Sequence, residues 1–239
     1  DADGNIKIGY VGAYPYAEVV SGYTSFFLGA RSIVEEETDI SVSMEVTYTS
    51  SWFDEKAERE GANTLISRGA ALISQHADSM GAPSACEKAG VPNVSYNGST
   101  EASCPNTFIV SSYINWEPYF EYMIDCVVNG EEIDADWTGT LATDSVALTE
   151  FGAAAAEGTA EKVAEVRAQL ESGTLNVFDC SKFTVNGEHL TSYMADVDTD
   201  DNFTPDHEAI ENGIFYESKH RSAPYFDVRI DGISELSAS

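Results

Sequence analysis

Three joints in this chain, each where a strand-like run gives way to a helix-like one, carry side chains suited to holding a flat molecule with polar edges. Trp52 and Phe53 lie in Thr49-Ser50-Ser51-Trp52-Phe53-Asp54, His76 and Asp78 in Gln75-His76-Ala77-Asp78-Ser79, and Asn97 in Tyr96-Asn97-Gly98-Ser99. A planar ring laid on an indole gains about 1–3 kcal/mol, by analogy with nucleobases stacked on aromatic side chains. Asp78 accepts from a ligand N–H, His76 donates or accepts according to tautomer, and Asn97 offers both polarities to a heterocycle edge. Each motif also has a plain structural explanation. Trp52 and Phe53 suit a hydrophobic staple at a helix entry, Asp78 or Ser79 a helix cap, and Asn97-Gly98 a turn. Taken singly, the motifs at 76–79 and 97–98 favour the plain explanation. Their convergence favours the other, because open α/β sheets bind ligands at the carboxyl ends of their strands.

The surrounding pattern must place those joints. Ile6–Val11 reads as a short buried strand, followed by a Gly12-Ala13-Tyr14-Pro15 loop. Ala17–Glu36 reads as a helix, with Val20, Tyr23, Phe27, Ala30 and Val34 at helical spacing. Met44, Val46 and Tyr48 alternate with polar residues as a strand does. The next helix starts after Asp54, a good N-cap, and stops at Gly69. Ala71–Ser74 is a short strand, Ser84–Ala89 a short helix closed by Gly90, and Val91–Tyr96 another strand. Phe108–Val110 and a helix over Trp116–Val128, ending near Gly130, continue the rhythm. Strand and helix alternating in this way indicate βαβ units, hence an α/β fold with a parallel sheet flanked by helices.

Beyond about residue 135 the rhythm changes. Residues 1–135 therefore read as one α/β lobe and 136–239 as a separate segment. Within the latter, Trp137–Leu148 suggests a strand and turn, and Gly158–Leu170 a charged amphipathic helix. Leu175–Phe178 and Lys182–Val185 are expected to form a hairpin around Asp179–Ser181. The acidic stretch Asp196–Pro205 reads as a solvated loop, and Tyr225–Ile230 alternates as a last strand.

Bulk composition narrows the function classes. With 239 residues, 43% hydrophobic and 11% aromatic, the chain has enough apolar material for a real core. Its 41 acids against 12 bases leave a formal charge of −29, which argues against nucleic acid, since phosphate binding needs clustered Lys and Arg. Cys86, Cys104, Cys126 and Cys180 show no zinc-ligand spacing, so no metal is expected, and both free thiols and disulfides stay open. No apolar run approaches the ~18 residues that span a bilayer. The polar start Asp1-Ala2-Asp3-Gly4-Asn5 suggests a processed terminus. There is no G-x-S-x-G, no phosphate-binding glycine loop and no complete EF-hand pattern, so neither catalysis nor a cofactor is expected.

Several runs resemble the basic membrane protein (BMP) family of bacterial solute-binding lipoproteins, which includes purine nucleoside receptors. They are Gly9-Tyr10-Val11-Gly12, Phe27-Leu28-Gly29-Ala30-Arg31-Ser32, Ser51-Trp52-Phe53-Asp54, Glu58-Arg59-Glu60, Ser74-Gln75-His76-Ala77-Asp78-Ser79 and Asn115-Trp116-Glu117-Pro118-Tyr119. The resemblance covers residues 6–152 and is loose beyond them. It implies a type I periplasmic-binding-protein-like fold, here one complete ligand-binding lobe, residues 1–135, plus part of the second, to which residues 136–239 return, and a role as the extracytoplasmic, lipid-anchored receptor of an ABC importer. Its ligand would be a purine in an interlobe cleft and its partner the transporter permease. Trp52 or Phe53 would face the base, with His76, Asp78 and Asn97 lining the wall. Family members that bind nucleosides address the ribose with an Asp and a Lys, and those positions hold Asn97 and Ile114 here. A free base or similar planar heterocycle is therefore expected in place of a nucleoside. The resemblance also implies that about one lobe (~100 residues on the usual domain scale) is missing in front, which would favour self-association. Two alternatives share the fold: a nucleoside-processing hydrolase using Asp78 and His76, and a ligand-sensing domain of a regulator.

Overall fold

A computed structural model of the chain describes residues 4–198, 200 and 202–236. The polar start at 1–3, Thr199 and Asp201 of the acidic stretch, and residues 237–239 lie outside the described residues. The first strands and helices follow the sequence pattern closely: β1 Asn5–Gly12, α1 Ala17–Glu37, β2 Ser41–Tyr48, α2 Glu55–Ser67, β3 Ile73–Gln75, α3 Gly81–Ala89 and β4 Asn93–Tyr96. After them come β5 Phe108–Ile114, α4 Glu117–Asn129, β6 Val146–Leu148 and α5 Thr159–Glu171. Short two-residue strands follow, β7 Met194–Ala195 with β8 His207–Glu208 and β9 Ile210–Glu211 with β10 Ile214–Phe215, and the last is β11 Ile233–Glu235.

Local chemistry explains the boundaries. Asp54 caps α2 as expected, its carboxylate accepting from Lys56 N at 3.1 Å and Ala57 N at 2.9 Å. Gly90 ends α3 in the left-handed region at φ 69°, where a residue without Cβ meets no steric penalty. β1 alternates as a strand buried on both faces must: Ile8 and Tyr10 enter one core with Tyr23 and Phe27 of α1, while Val11 joins Ala62, Leu65 and Ile73 in the other.

The sheet has seven strands in the order β11-β2-β1-β3-β4-β5-β6, parallel except for β6, which runs antiparallel to β5. Residues 136–239 thus contribute both edge strands. Their apolar side chains also build the core against α1: Phe178 and Phe226 stack at 4.2 Å, and Phe183 and Phe215 meet Phe226 edge-on at 6.1 and 4.7 Å.

Two expectations for this segment are corrected. Tyr225–Ile230 forms no strand, although Tyr225, Phe226, Val228 and Ile230 are all buried. Alternation reports an extended backbone with one face inward, and this stretch spends that pattern on α1 and the Phe cluster without joining a ladder; the strand comes three residues later. The hairpin of Leu175–Phe178 with Lys182–Val185 is also absent. Asp179 bends the chain into a short 3-10 turn by accepting from Ser181 N at 2.9 Å, and then bridges to Ile214 instead. The described residues of Asp196–Pro205 form neither helix nor strand and lie between the paired β7 and β8, and all four cysteines are buried free thiols.

No helix among the described residues is long and apolar enough to cross a membrane. α4 nevertheless shows an apolar row to solvent, with Trp116, Phe120, Ile124, Val127 and Val128 between 52% and 77% exposed.

α2 and α3 touch at their amino ends, and glycine permits the contact. A Cβ at Gly81 would lie 2.3 Å from Glu55 O and 3.0 Å from Arg59 N, backbone atoms that cannot step aside alone. Gly81→Ala should therefore destabilise the fold by about 1–3 kcal/mol, as overpacking does. Urea unfolding measures this, and a variant as stable as its parent would contradict the contact.

Candidate ligand site at the carboxyl rim of the sheet

Because β2, β1, β3 and β4 are parallel neighbours, their following loops leave from one edge. Trp52 stands after β2, His76 and Asp78 directly after β3, and Asn97 directly after β4. Trp52 and His76 lie with ring centroids 6.0 Å apart, and His76 lies nearly flat on Tyr96 at 4.3 Å and 21°. From the loop after β1, Tyr14 approaches Trp52 to 5.2 Å and Tyr16 to 6.1 Å, and the two tyrosines stack on each other at 5.1 Å. Tyr16, Tyr14, Trp52, His76 and Tyr96 therefore form one continuous aromatic wall.

Backbone hydrogen bonds fix the loops to the strands and to each other. His76 N donates to Val11 O at 2.9 Å, and Asp78 N to Trp52 O at 2.8 Å. Gln75, itself buried, donates from Nε2 to Ala77 O at 2.6 Å and Ser79 O at 3.2 Å. Ser79, rather than Asp78, serves the start of α3, its Oγ accepting from Gly81 N at 3.0 Å. The half-buried Asp78 carboxylate is left at the rim beside the imidazole.

The five expected residues are not equally placed. Trp52, His76 and Asp78 are joined by direct contacts. Trp52 also packs on the main core, so the staple explanation holds for it alongside its place in the wall. Phe53 is 69% exposed and makes no ring contact among the described residues. Asn97 occupies the left-handed region at φ 65°, as an Asn-Gly turn requires, and its N–H is taken by Ser112 O at 2.7 Å. Its carboxamide is exposed at the same rim. Sequence reading missed Tyr14, Tyr16 and Tyr96, although the rule that singled out Trp52, an aromatic at a strand's carboxyl end, picks out the two loop tyrosines as well.

Burial lowers the pKa of His76, and the nearby Glu18 and Asp78 carboxylates offset only part of that shift. The imidazole is thus neutral near pH 7, and its buried Nδ1 has no hydrogen-bond partner among the described residues. Burial pushes the Tyr96 phenol the other way, upward, helped by Asp78 and Glu18. The charged side chains beside His76 and Tyr96 are the carboxylates of Glu18 and Asp78, while Arg229 reaches Pro15 O of the Tyr14–Tyr16 loop at 3.5 Å. Two cavities, about 550 Å³ beside His189, Tyr193 and Arg229 and about 480 Å³ beside Phe215, Tyr216 and Lys219, lie elsewhere, and neither is lined by any of the five residues. The rim is an open wall.

Residues 4–174 match the family model Bmp, described as ABC transporter substrate-binding protein PnrA-like. A putative ABC transporter glucose-binding protein of Haloferax volcanii is 32% identical over 180 residues, covering 75% of this chain and 44% of the relative. A purine-binding protein of Brucella abortus is 30% identical over 171 residues, 71% of this chain and 47% of the relative. The chain thus spans about half the length of the curated relatives it matches. Among solved structures, an ABC transporter solute-binding protein from Conexibacter woesei aligns at TM-score 0.56 and 22% identity over 71% of this chain and 56% of that one. A transcriptional activator of the comK gene from Bacillus halodurans aligns at TM-score 0.59 and 16% identity over 71% of this chain and 57% of that one. These likenesses fix the architecture as the α/β fold of type I periplasmic binding proteins. The family match, over most of the chain and including all three rim loops, shows that this chain belongs to the Bmp family of ABC transporter substrate-binding proteins.

Proposed function

We propose that the carboxyl rim binds a purine base or a similar planar heterocycle, and that the chain serves as ligand-binding part of a non-enzymatic, extracytoplasmic, lipid-anchored receptor that delivers this ligand to an ABC permease. The observation that carries this reading is the aromatic wall. Trp52 and its neighbours offer a continuous apolar surface of mutually tilted rings, any one of which can stack a ligand, while Asp78 and Asn97 stand at its margin to accept from and donate to a ring edge. The carboxylates of Asp78 and Glu18 beside His76 suit a neutral ring bearing N–H groups at that end of the wall. Ile114, 45% exposed at the end of β5, brings no charge to grip a ribose. An aromatic face on one side only binds weakly, and closure by a second lobe would strengthen it. Self-association, the other partner expected of the chain, would run through the exposed α4 row against the repulsion of a net charge of −29.

Isothermal titration tests the ligand class. Adenine or hypoxanthine should bind more tightly than adenosine, and Trp52→Ala should weaken adenine by about 1–3 kcal/mol, the contribution of one stacked face. Clearly tighter adenosine binding overturns the free-base reading. Glucose, taken from the name of the Haloferax relative, serves as the competing probe, and tighter binding of it replaces purine with sugar.

The neutral imidazole has its own signature. His76 titrates below its ordinary value of about 6.5 when folded, so as pH falls the unfolded chain takes up the proton first. Stability from this residue is therefore present above pH ~6.5 and is lost on acidification, at up to about 1.4 kcal/mol per pH unit, until the folded value is passed. Guanidinium midpoints between pH 7.5 and 5.5 should fall more steeply for the parent than for His76→Phe. Parallel slopes would show that His76 is not held neutral.

A further inference from the structure

Glu58 is a fully buried carboxylate, 0% exposed, with no cation among the partners of its side chain in the described residues. It reaches back from the first turn of α2 to accept from Asp54 N at 3.1 Å, and across to accept from Ser79 N at 3.2 and 3.1 Å through its two oxygens. Asp54 closes the loop that carries Trp52, and Ser79 closes the loop that carries His76 and Asp78. Burying a carboxylate is costly unless hydrogen bonds or a counter-charge compensate it, and here Asp78 adds a like charge nearby. Reciprocal capping of α2 with Asp54 accounts for the bond to Asp54 N but not for the bonds to Ser79 N, which belongs to another loop.

We propose that Glu58 is a positioning residue of the ligand site, one side chain that sets the spacing between the indole of Trp52 and the imidazole and carboxylate of His76 and Asp78. This rests on the rim being the ligand site. Glu58→Gln keeps the shape but replaces one acceptor oxygen with an NH2 group that must face a backbone N–H. An oxygen kept in the Oε1 position still accepts from Asp54 N and Ser79 N, but the NH2 group then lies against Ser79 N and weakens that bridge, leaving Asp78 N to Trp52 O as the intact direct bond from loop to loop among the described residues. The two loops can part while the sheet and both helices persist.

The test uses the full chain with Trp116→Phe and Trp137→Phe, which leaves Trp52 the sole indole of the three. Glu45→Gln serves as control. Glu45 is another largely buried carboxylate, held by Arg68 at 2.6 and 2.8 Å and by Lys7 at 3.2 Å, at the far end of α2. Glu58→Gln should red-shift Trp52 emission, raise its quenching by acrylamide and weaken adenine binding about tenfold or more, the effect of losing one charge-assisted hydrogen bond. Glu45→Gln should lower the melting temperature without moving either rim measurement. The proposal is overturned if Glu58→Gln matches the parent at the rim, or if Glu45→Gln disturbs Trp52 as much. Should Glu58→Gln fail to fold, Glu58→Asp keeps the charge but is one methylene short of bridging both N–H groups, and carries the same expectation. If the parent binds no adenine, the ligand reading fails, while the Trp52 comparison still decides the role of Glu58.

Discussion

Parallel pairing of β2, β1, β3 and β4 is the constraint from which the candidate site follows. In a parallel sheet every strand must return to the same starting edge, so each crossover delivers its leading loop to the opposite edge. Residues far apart in sequence, such as Tyr14, Trp52, His76 and Tyr96, then meet without any long-range motif to specify it. Buried strands also need cover on both faces, which α1 with the Phe178–Phe226 cluster supplies on one side and α2 with α3 on the other. The packing that buries the sheet is therefore also what holds its rim still.

Much of this was legible in the sequence because the signals are local. Asp54 before a helical run, Gly90 and Gly130 just after one, and the spacing of Val20, Tyr23 and Phe27 each act over a turn or two, and each marks its element correctly. What escaped depends on partners. The burial of Tyr225, Phe226, Val228 and Ile230 is visible as alternation, but whether a neighbouring strand accepts their backbone is not. Asp179 looked like the tip of a hairpin, and its carboxylate makes a tight turn that sends the chain toward Ile214.

The site shows the same division. Trp52, His76 and Asp78 stood out by type and by position at strand ends. Tyr96 did not, because its role arises from lying flat on His76, a pairing between different crossovers. Glu58 looked like one acid among the many of a helix rich in Glu, and only its partners, two backbone N–H groups from different loops, distinguish it. Phe53, conspicuous beside Trp52, is left in solvent, whereas Trp52 packs partly against the main core.

The openness of the aromatic wall has a kinetic consequence. On the proposed reading, a molecule can reach this wall from the open side, so arrival is limited mainly by diffusion, and no ring among the described residues faces the wall from across to slow its escape. On the same reading, the polar margin would decide which ring is chosen, whereas how long it stays would depend on whatever covers the exposed side. Choice and residence time would then belong to different pieces of the machinery, and a surface like this one would sample its surroundings before storing anything from them.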